Sequence, residues 1–256
     1  MTTRVRKADR FGRILERLAA SGSVGVADLA RELGVSEATV RRDLRALDEQ
    51  RLLERAHGGA ISQGTVYELP VRYRGGHARE EKQRIARASL DRVADGDVVA
   101  LTGGTTTTEV ARQLVRRAEI SVVTNALNIA GELAVRPNVK LVVTGGVARS
   151  ASYELVGPLA EATLQSINVD VAFVGVDGID VRAGLTTQNE TEAATNRALI
   201  QRSRRVIVVA DGSKLGHVAF ASICPLAAAD ELITDTGADG EELARLRAAG
   251  LAIDTV

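Results

Sequence analysis

The chain has 256 residues, enough for two domains, and 45% of them are hydrophobic while 26% are charged. This composition is that of a globular protein and excludes a disordered chain. The single cysteine, Cys224, excludes an intramolecular disulfide, and neither the polar N-terminus nor any apolar run resembles a signal peptide or a membrane span. We therefore expect a cytoplasmic protein without membrane contact.

Charge is unevenly distributed, although the formal net charge is zero. Residues 1–60 hold 12 Lys and Arg against 9 Asp and Glu, and the remainder holds 21 against 24. A weakly basic head on a weakly acidic body is compatible with nucleic-acid binding but does not prove it.

The first 60 residues have the pattern of a helix-turn-helix. Apolar side chains at helical spacing predict an amphipathic helix over residues 9–20 and a shorter helix from Val26 to Leu33. A turn at Gly34 then leads into a third helix, predicted from Val35 to Leu47. Helix, turn and recognition helix is the order found in many DNA-binding domains.

The third predicted helix has one apolar face and one basic face. Val40, Leu44 and Leu47 would face a core, and Ser36 is the predicted N-cap. The exposed face carries Ala38, Thr39, Arg41, Arg42 and Arg45. Arginine forks bind guanine edges or phosphates, and a threonine methyl can contact thymine. A solvated basic helix is the alternative, and the helix order favours DNA binding.

A short hairpin is predicted after this helix. Leu52, Leu53 and Arg55 predict a strand, and His57-Gly58-Gly59 predicts a turn. A wing of this kind can contact phosphates beside the groove, so Arg55 and His57 join Ser36, Thr39 and the three arginines as predicted DNA-binding residues. We expect an N-terminal all-α, winged helix-turn-helix domain over residues 1–60.

The rest of the chain predicts a second domain. Residues 61–79 show no clear period and are predicted to form a linker. From residue 80, helices alternate with predicted strands at 98–101, 120–123, 140–143, 171–176, 206–210, 232–234 and 251–253. This alternation predicts a C-terminal α/β domain over residues 80–256, with a mainly parallel sheet covered on both faces. Ligands of such sheets bind outside the carboxyl ends of the strands.

The loop after the first of these strands, Leu101 to Thr108, contains two glycines and five threonines and opens a helix. Glycines let the backbone approach an anion closely, and hydroxyls and helix-start amides donate hydrogen bonds to it. The loop lacks the pattern of a Walker A or a dinucleotide site. A phosphate site and a capped turn without ligand are about equally compatible with this loop alone.

Polar or glycine-rich turns follow other strands, at Thr124-Asn125, at Thr144-Gly145-Gly146 and at Val176-Asp177-Gly178. Lys214 follows the strand that ends at Ala210. The Asn125 amide can both donate to and accept from sugar hydroxyls, and a lysine suits a phosphate, although Lys214 can equally be a surface residue.

Other chemistries have little support. The scattered His57, His77 and His217 lack cysteine partners, so we expect no metal site. Cys224 is predicted to be a buried thiol. Carboxylate pairs such as Asp177 and Asp180 lie in predicted turns, where such residues are more often caps than catalytic acids. We expect no cofactor and no catalytic residue.

Both parts of the chain resemble the DeoR family of bacterial transcriptional regulators. The segment VSEATVRRDLRALDEQRLLERAHGGA resembles the family's winged helix-turn-helix. Seven further segments resemble its effector domain in order and spacing: LTGGTTTTEVARQL, VVTNALNIA, TGGVARS, LVGPLAEATL, VDVAFVGVDGID, GLTTQNETEA and VADGSKLG. The resemblance implies a repressor of a sugar-metabolism operon, controlled by a phosphorylated sugar. It also implies a body similar in fold to ribose-5-phosphate isomerase and glucosamine-6-phosphate deaminase.

The resemblance also implies roles for individual residues. The implied phosphate loop comprises Gly104, Thr105, Thr106 and Thr107. The implied polyol contacts are Asn125, Gly145, Gly146, Asp177 and Glu192, with Lys214 as the cation. Three positions depart from the family pattern: Arg51 stands where glycine is usual, Thr102 where aspartate is usual, and Asn196 where lysine is frequent.

The predicted partners are double-stranded operator DNA, a phosphorylated sugar and further copies of the chain. A dimer or tetramer is expected because one recognition helix buries too little surface for tight specificity. The alternative function is a phosphosugar isomerase or deaminase with an appended DNA-binding head, because Asp177 and Glu192 can act as bases.

Overall fold

The computed structural model describes residues 7–62, 70–74 and 78–256. The chain divides into two units, residues 1–77 and residues 78–256, which we call the head and the body.

The head is a helix-turn-helix followed by a small wing. Its elements are α1 Lys7–Ser21, β1 Ser23–Gly25, α2 Val26–Leu33, α3 Glu37–Glu49, β2 Glu54–Ala56, β3 Gly59–Ile61 and α4 Val71–Arg74. The strands pair antiparallel in the order β1-β3-β2. The predicted helix order and wing are confirmed, but the prediction of strand at Leu52 and Leu53 is wrong. Both residues lie in a bend, because the Leu53 side chain turns inward and is fully buried in the core of the head.

Parts of the predicted linker belong to the head. Ile61 ends β3, and α4 carries Tyr73, which is 7% exposed. The Tyr73 ring packs on Phe11 with centroids 5.6 Å apart, and its hydroxyl donates to Gln50 Oε1. A single aromatic residue on a one-turn helix gives no periodic signal, so α4 could not be predicted from the sequence pattern. Residues 63–69 and 75–77 lie outside the described residues.

The body, described throughout, alternates strands with helices. Its strands are β4 Val98–Leu101, β5 Ile120–Thr124, β6 Val139–Val143, β7 Val147–Ala148, β8 Leu155–Val156, β9 Val169–Val174, β10 Gly178–Asp180, β11 Gly184–Thr187, β12 Ser203–Val209, β13 Ala221–Cys224, β14 Glu231–Thr234 and β15 Ala252–Thr255. Its helices are α5 Arg79–Ser89, α6 Thr105–Leu114, α7 Leu127–Leu133, α8 Pro158–Gln165, α9 Glu190–Gln201 and α10 Gly240–Ala248. No helix within the described residues has the length and apolar character needed to cross a membrane.

A parallel sheet forms the centre of the body. Its seven strands lie in the order β15-β14-β12-β9-β4-β5-β6, and every neighbouring pair in this sheet is parallel. Alternate residues face opposite sides, so Val99 and Leu101 enter one apolar cluster and Ala100 the other. Helices α5, α6 and α7 cover the first cluster, and α8, α9 and α10 cover the second. The predicted α/β fold is therefore confirmed.

Two small antiparallel elements were not predicted. Strands β7 and β8 form a two-stranded hairpin, and β10, β11 and β13 form a separate sheet. These strands contain two to four residues each, too few for a period of two to be distinguished from a loop. Both elements lie beside the loops at the carboxyl ends of the parallel strands.

Those loops share one edge of the sheet because the strands are parallel. We call this edge the rim and define it by residues 102–104 after β4, 125–126 after β5, 144–146 after β6, 175–177 after β9 and 210–214 after β12. Residues 73 positions apart in the sequence are neighbours there, since Gly175 N donates a hydrogen bond to Thr102 Oγ1 at 2.9 Å.

We predict that Cys224 resists alkylation in the native chain. The residue is 6% exposed, and burial raises the pKa of its thiol to about 11, although the positive charge of Arg197 lowers it in part. At pH 8 about one thiol in a thousand is then ionised, and the thiolate is the reacting form. Mass spectrometry after iodoacetamide treatment measures the rate, with the denatured chain as control. Equal rates for the native and denatured chains at pH 8 would contradict the burial.

Candidate functional site

Helix α3 begins at a side-chain cap. Ser36 has an extended backbone conformation, and its Oγ accepts a hydrogen bond from Thr39 N at 3.2 Å. The predicted N-cap is therefore confirmed. The Ser36 and Thr39 hydroxyls also lie 2.9 Å apart, so the two polar residues hold one another at the start of the helix.

The two faces of α3 differ as predicted. Val40, Leu44 and Leu47 are at most 1% exposed. Arg41, Arg42 and Arg45 are exposed on the other side, and Thr39 is half-buried. Arg41 lies 2.5 Å from Glu37 one turn earlier, an exposed pair of small energetic value. Arg42 and Arg45 form no ion pair within the described residues, so their guanidinium groups are available to a polyanion.

A buried ion pair fixes α3 against α1. Arg10 Nε lies 2.8 Å from Asp43 Oδ2, Arg10 Nη2 lies 3.1 Å from Asp43 Oδ1, and Asp43 is 1% exposed. A two-point contact of this kind fixes both distance and orientation. Asp43 was not predicted as a buried residue, although its position next to Leu44 on the inward face of α3 is a sequence signal for it.

The wing presents Arg55 and His57, both exposed, on β2 and the following turn. Gly59 is required there, since an added Cβ would lie 1.9 Å from the carbonyl oxygen of Val24 on β1. The structure thus places all predicted DNA-binding residues in the head, on α3, its cap and the wing.

Arg51, between α3 and the wing, has a backbone φ of 57°. This left-handed conformation favours glycine, the residue usual in the family pattern, and costs a side-chain-bearing residue about 1–2 kcal/mol. Arg51 therefore retains the turn at the expense of some local strain.

We predict that Arg51→Gly stabilises the head by up to about 1 kcal/mol, because relief of strain exceeds the added flexibility of the unfolded chain. Hydrogen exchange of the α3 amides in the full chain measures the change. Arg51→Ala, which removes the charge but retains Cβ, is the control and should give no stabilisation. A gain of equal size for Arg51→Ala would show that charge, and not backbone strain, was relieved.

At the rim, α6 begins without a side-chain cap among the described residues. Its N-cap is Gly104, with φ 136° and ψ 164°, a conformation open to glycine alone. The amides of the first helical residues, Thr105 to Thr107, have no acceptor within a helix of this type. The hydroxyls of Thr107 and Thr108 donate back to Gly104 O, at 3.1 and 2.6 Å. Backbone amides and the hydroxyls of Thr105 and Thr106, for which the described residues offer no acceptor, are therefore the donors that remain for a ligand.

Thr102 connects two loops of the rim. It is fully buried, and its Oγ1 accepts a hydrogen bond from Gly175 N in the loop after β9. An aspartate at this position would place a negative charge beside the start of α6. The neutral hydroxyl keeps the hydrogen bond without that charge.

Asn125 is the centre of a buried polar cluster. It is fully buried, and its Nδ2 donates to Glu154 Oε2 at 3.1 Å and to Asn196 Oδ1 at 3.3 Å. Glu154 and Asn196 are themselves 4% and 3% exposed. Neither was predicted as a site residue, although Asn196 had been singled out as a departure from the family pattern. The only sequence signal for Glu154 is a charged residue beside the apolar pair that forms β8.

A second cluster contains the predicted carboxylates. Thr187 Oγ1 lies 3.0 Å from Asp177 Oδ2 and 3.2 Å from Glu192 Oε2, which brings the loop after β9 to the start of α9. Arg149 Nη1 lies 3.3 Å from Glu192 Oε1. Arg149 and Glu154 both lie in the β7–β8 hairpin, so this hairpin connects the two clusters.

The remaining predicted ligand residues are less closely grouped. Lys214 is half-buried in the turn after β12. In the sheet, β12 lies two strands from β4, the strand that leads into α6. Gly145 is exposed. Gly146 contributes to packing, since an added Cβ would lie 2.8 Å from the carbonyl oxygen of Val156 on β8.

The head and the body each match a known domain family. Residues 10–66 match the DeoR-like helix-turn-helix domain, and residues 77–236 match the DeoR C terminal sensor domain. The chain belongs to the DeoR family of transcriptional regulators. The HTH-type transcriptional regulator GlpR of Haloferax volcanii is 38% identical over 247 residues, which cover 96% of each chain.

A second relative of this DeoR-family chain is the glycerol-3-phosphate regulon repressor of Escherichia coli K12. It is 34% identical over 234 residues, covering 90% of this chain and 92% of the relative. Among solved structures, ribose 5-phosphate isomerase A of Methanocaldococcus jannaschii matches 54% of each chain with 20% identity and a TM-score of 0.40. The prediction of a DNA-binding transcriptional regulator, and not an enzyme, is confirmed by the family; the roles of individual residues stay predictions.

Proposed function

We propose that this DeoR-family regulator represses genes for the metabolism of a phosphorylated sugar or polyol. The head binds operator DNA through α3 and the wing, and the body binds the effector at the rim. One observation carries the proposal: α6 begins without a side-chain cap at the carboxyl ends of the parallel strands, in a body that matches a sensor domain and is joined to a helix-turn-helix head. The similarity to a glycerol-3-phosphate regulon repressor over nine-tenths of the chain supports a phosphorylated effector.

The proposed DNA contacts divide by chemistry. Arg42 and Arg45, exposed and without ion pairs in the described head, suit base edges or phosphates in the major groove. Ser36 and Thr39 lie at the positive end of α3, where a DNA phosphate is stabilised. Arg41 contributes after exchanging Glu37 for a phosphate, and Arg55 and His57 contact the backbone from the wing.

We expect Arg42→Ala to weaken specific operator binding by about 1–3 kcal/mol per half-site while the fold persists, because the side chain is exposed and makes no ion pair in the described head. A gel shift at fixed salt measures the loss. Arg87→Ala, which removes an exposed arginine from α5 of the body, is the control and should bind normally. Unchanged affinity for Arg42→Ala would remove this position from the interface.

The proposed effector site places the phosphate at the start of α6. The Thr105, Thr106 and Thr107 amides and the helix dipole favour a doubly charged anion. Lys214 adds a positive charge from the loop after β12. The polyol part of the effector then lies toward Asn125, Gly145, Gly146, Asp177 and Glu192. Because two heads are needed for a palindromic operator, we propose that the regulator acts as a homo-oligomer.

We predict that a phosphate ester binds at least about a hundredfold more tightly than its free sugar, because two charge-assisted hydrogen bonds are lost without the phosphate. Thr105→Val should weaken binding of the ester about tenfold and leave DNA binding intact. Calorimetry at fixed salt measures both effects. Thr163→Val is the control, since that hydroxyl bonds Leu159 O within α8. If a free sugar bound as tightly as its ester, the start of α6 would not be a phosphate site.

A further inference from the structure

The β7–β8 hairpin delivers two charged side chains to the rim. Glu154 reaches the loop after β5, and Arg149 reaches Glu192 at the start of α9. A backbone bridge between Glu154 and Ala126 holds the hairpin beside Asn125, and Leu155 N donates to Asn125 O at 2.6 Å. The position of the Glu154 backbone is therefore fixed, and only its side chain can rotate to admit a ligand.

The orientation of the Asn125 amide follows from its neighbour. A carboxylate only accepts hydrogen bonds, so the atom of Asn125 that faces Glu154 Oε2 must be the nitrogen. The oxygen then points elsewhere, and Oδ1 is buried without a hydrogen-bond partner among the described residues. A buried acceptor of this kind is costly unless something donates to it.

Gly103 explains how Glu154 comes so close to the α6 loop. An added Cβ at position 103 would lie 2.3 Å from Glu154 Oε1 and 2.4 Å from its Cγ. The glycine thus leaves the space that the Glu154 side chain fills. Consequently the buried carboxylate of Glu154 lies beside Gly103, the residue before the N-cap of α6. The start of α6 is where we place the phosphate.

The chemistry of these atoms selects the part of the ligand that binds them. A carboxylate repels a phosphate but accepts strongly from a hydroxyl, and the orphaned Asn125 Oδ1 also requires a donor. We propose that Glu154 and Asn125 form a hydroxyl-recognition subsite next to the phosphate site, so that the effector is a polyol phosphate with hydroxyls close to its phosphate. This inference rests on the proposed function, because it takes the rim as the effector site.

Calorimetry on the full chain tests the subsite. The probes are ribose 5-phosphate, glucose 6-phosphate and glycerol 3-phosphate, the singly deoxygenated analogues of whichever binds most tightly, and inorganic phosphate. We expect Glu154→Gln to weaken binding of the polyol phosphate tenfold or more, because one charge-assisted acceptor is lost. Binding of inorganic phosphate should be unchanged or tighter. Glu161→Gln, the same substitution on α8, is the matched control and should change neither.

The deoxygenated analogues separate recognition from a purely structural role. In the wild type, at least one analogue should bind about tenfold more weakly than the parent compound, and Glu154→Gln should remove most of that difference. A structural defect would weaken all ligands alike and leave the difference intact, which would overturn the inference.

The outcomes also separate this inference from the function on which it rests. Wild-type binding of a polyol phosphate that Glu154→Gln leaves unchanged would overturn the subsite alone. A wild-type chain that binds DNA but none of the three polyol phosphates would contradict the proposed effector class and this inference with it.

Discussion

Parallel strand direction is the constraint on which the body depends. Because all seven strands of the described central sheet run the same way, the loops after β4, β5, β6, β9 and β12 meet at one edge. Residues as distant in sequence as Thr102 and Gly175, or Asn125 and Asn196, become hydrogen-bonding neighbours there. Apolar side chains alternate to both faces of the sheet and are covered by helices, so the polar groups of the chain are left for the rim.

Several polar side chains at the rim and beside it are buried. Asn125, Glu154, Glu192 and Asn196 are each at most 4% exposed, and buried polar groups persist when they are hydrogen-bonded to one another. Glycines at positions 103, 104 and 146 admit close contacts or a left-handed backbone that no other residue would allow. A buried ion pair, Lys82 with Asp211 at 3.7 Å, ties α5, the first helix of the body, to the loop after β12. The loop that carries Lys214 is therefore mechanically linked to the start of the body.

Features with a repeated pattern could be predicted from the sequence, and single contacts could not. The first three helices of the head, the Ser36 cap and the strands of the parallel sheet each follow from periodicity or from a local motif. Tyr73, the β7–β8 hairpin and Glu154 depend on long-range packing that leaves no period in a short segment. Thr102 and Asn196 were only partly predictable. Their departure from the family pattern drew attention to both positions, but their hydrogen-bond partners are known only from the structure.

In the head, too, repeated patterns were predictable and single contacts were not. Val40, Leu44 and Leu47 identified the inward face of α3, and the arginines followed on the outward face. Asp43 lies among the apolar residues and is buried, because Arg10 from α1 satisfies both of its oxygens. At Arg51, where glycine is usual in the family, the backbone is left-handed with a φ of 57°, a conformation that glycine adopts without strain.

Operator affinity measured with and without effector tests most directly whether the rim controls the head. Labelled DNA, selected from a random pool by the full chain, is titrated by fluorescence anisotropy at constant salt, because ionic strength alone changes DNA binding. We expect a polyol phosphate at saturating concentration to change the DNA Kd by about fivefold or more, the usual range of allosteric coupling, and inorganic phosphate to change it little. Equal DNA affinity with the rim empty and saturated would contradict the coupling of sensor to head.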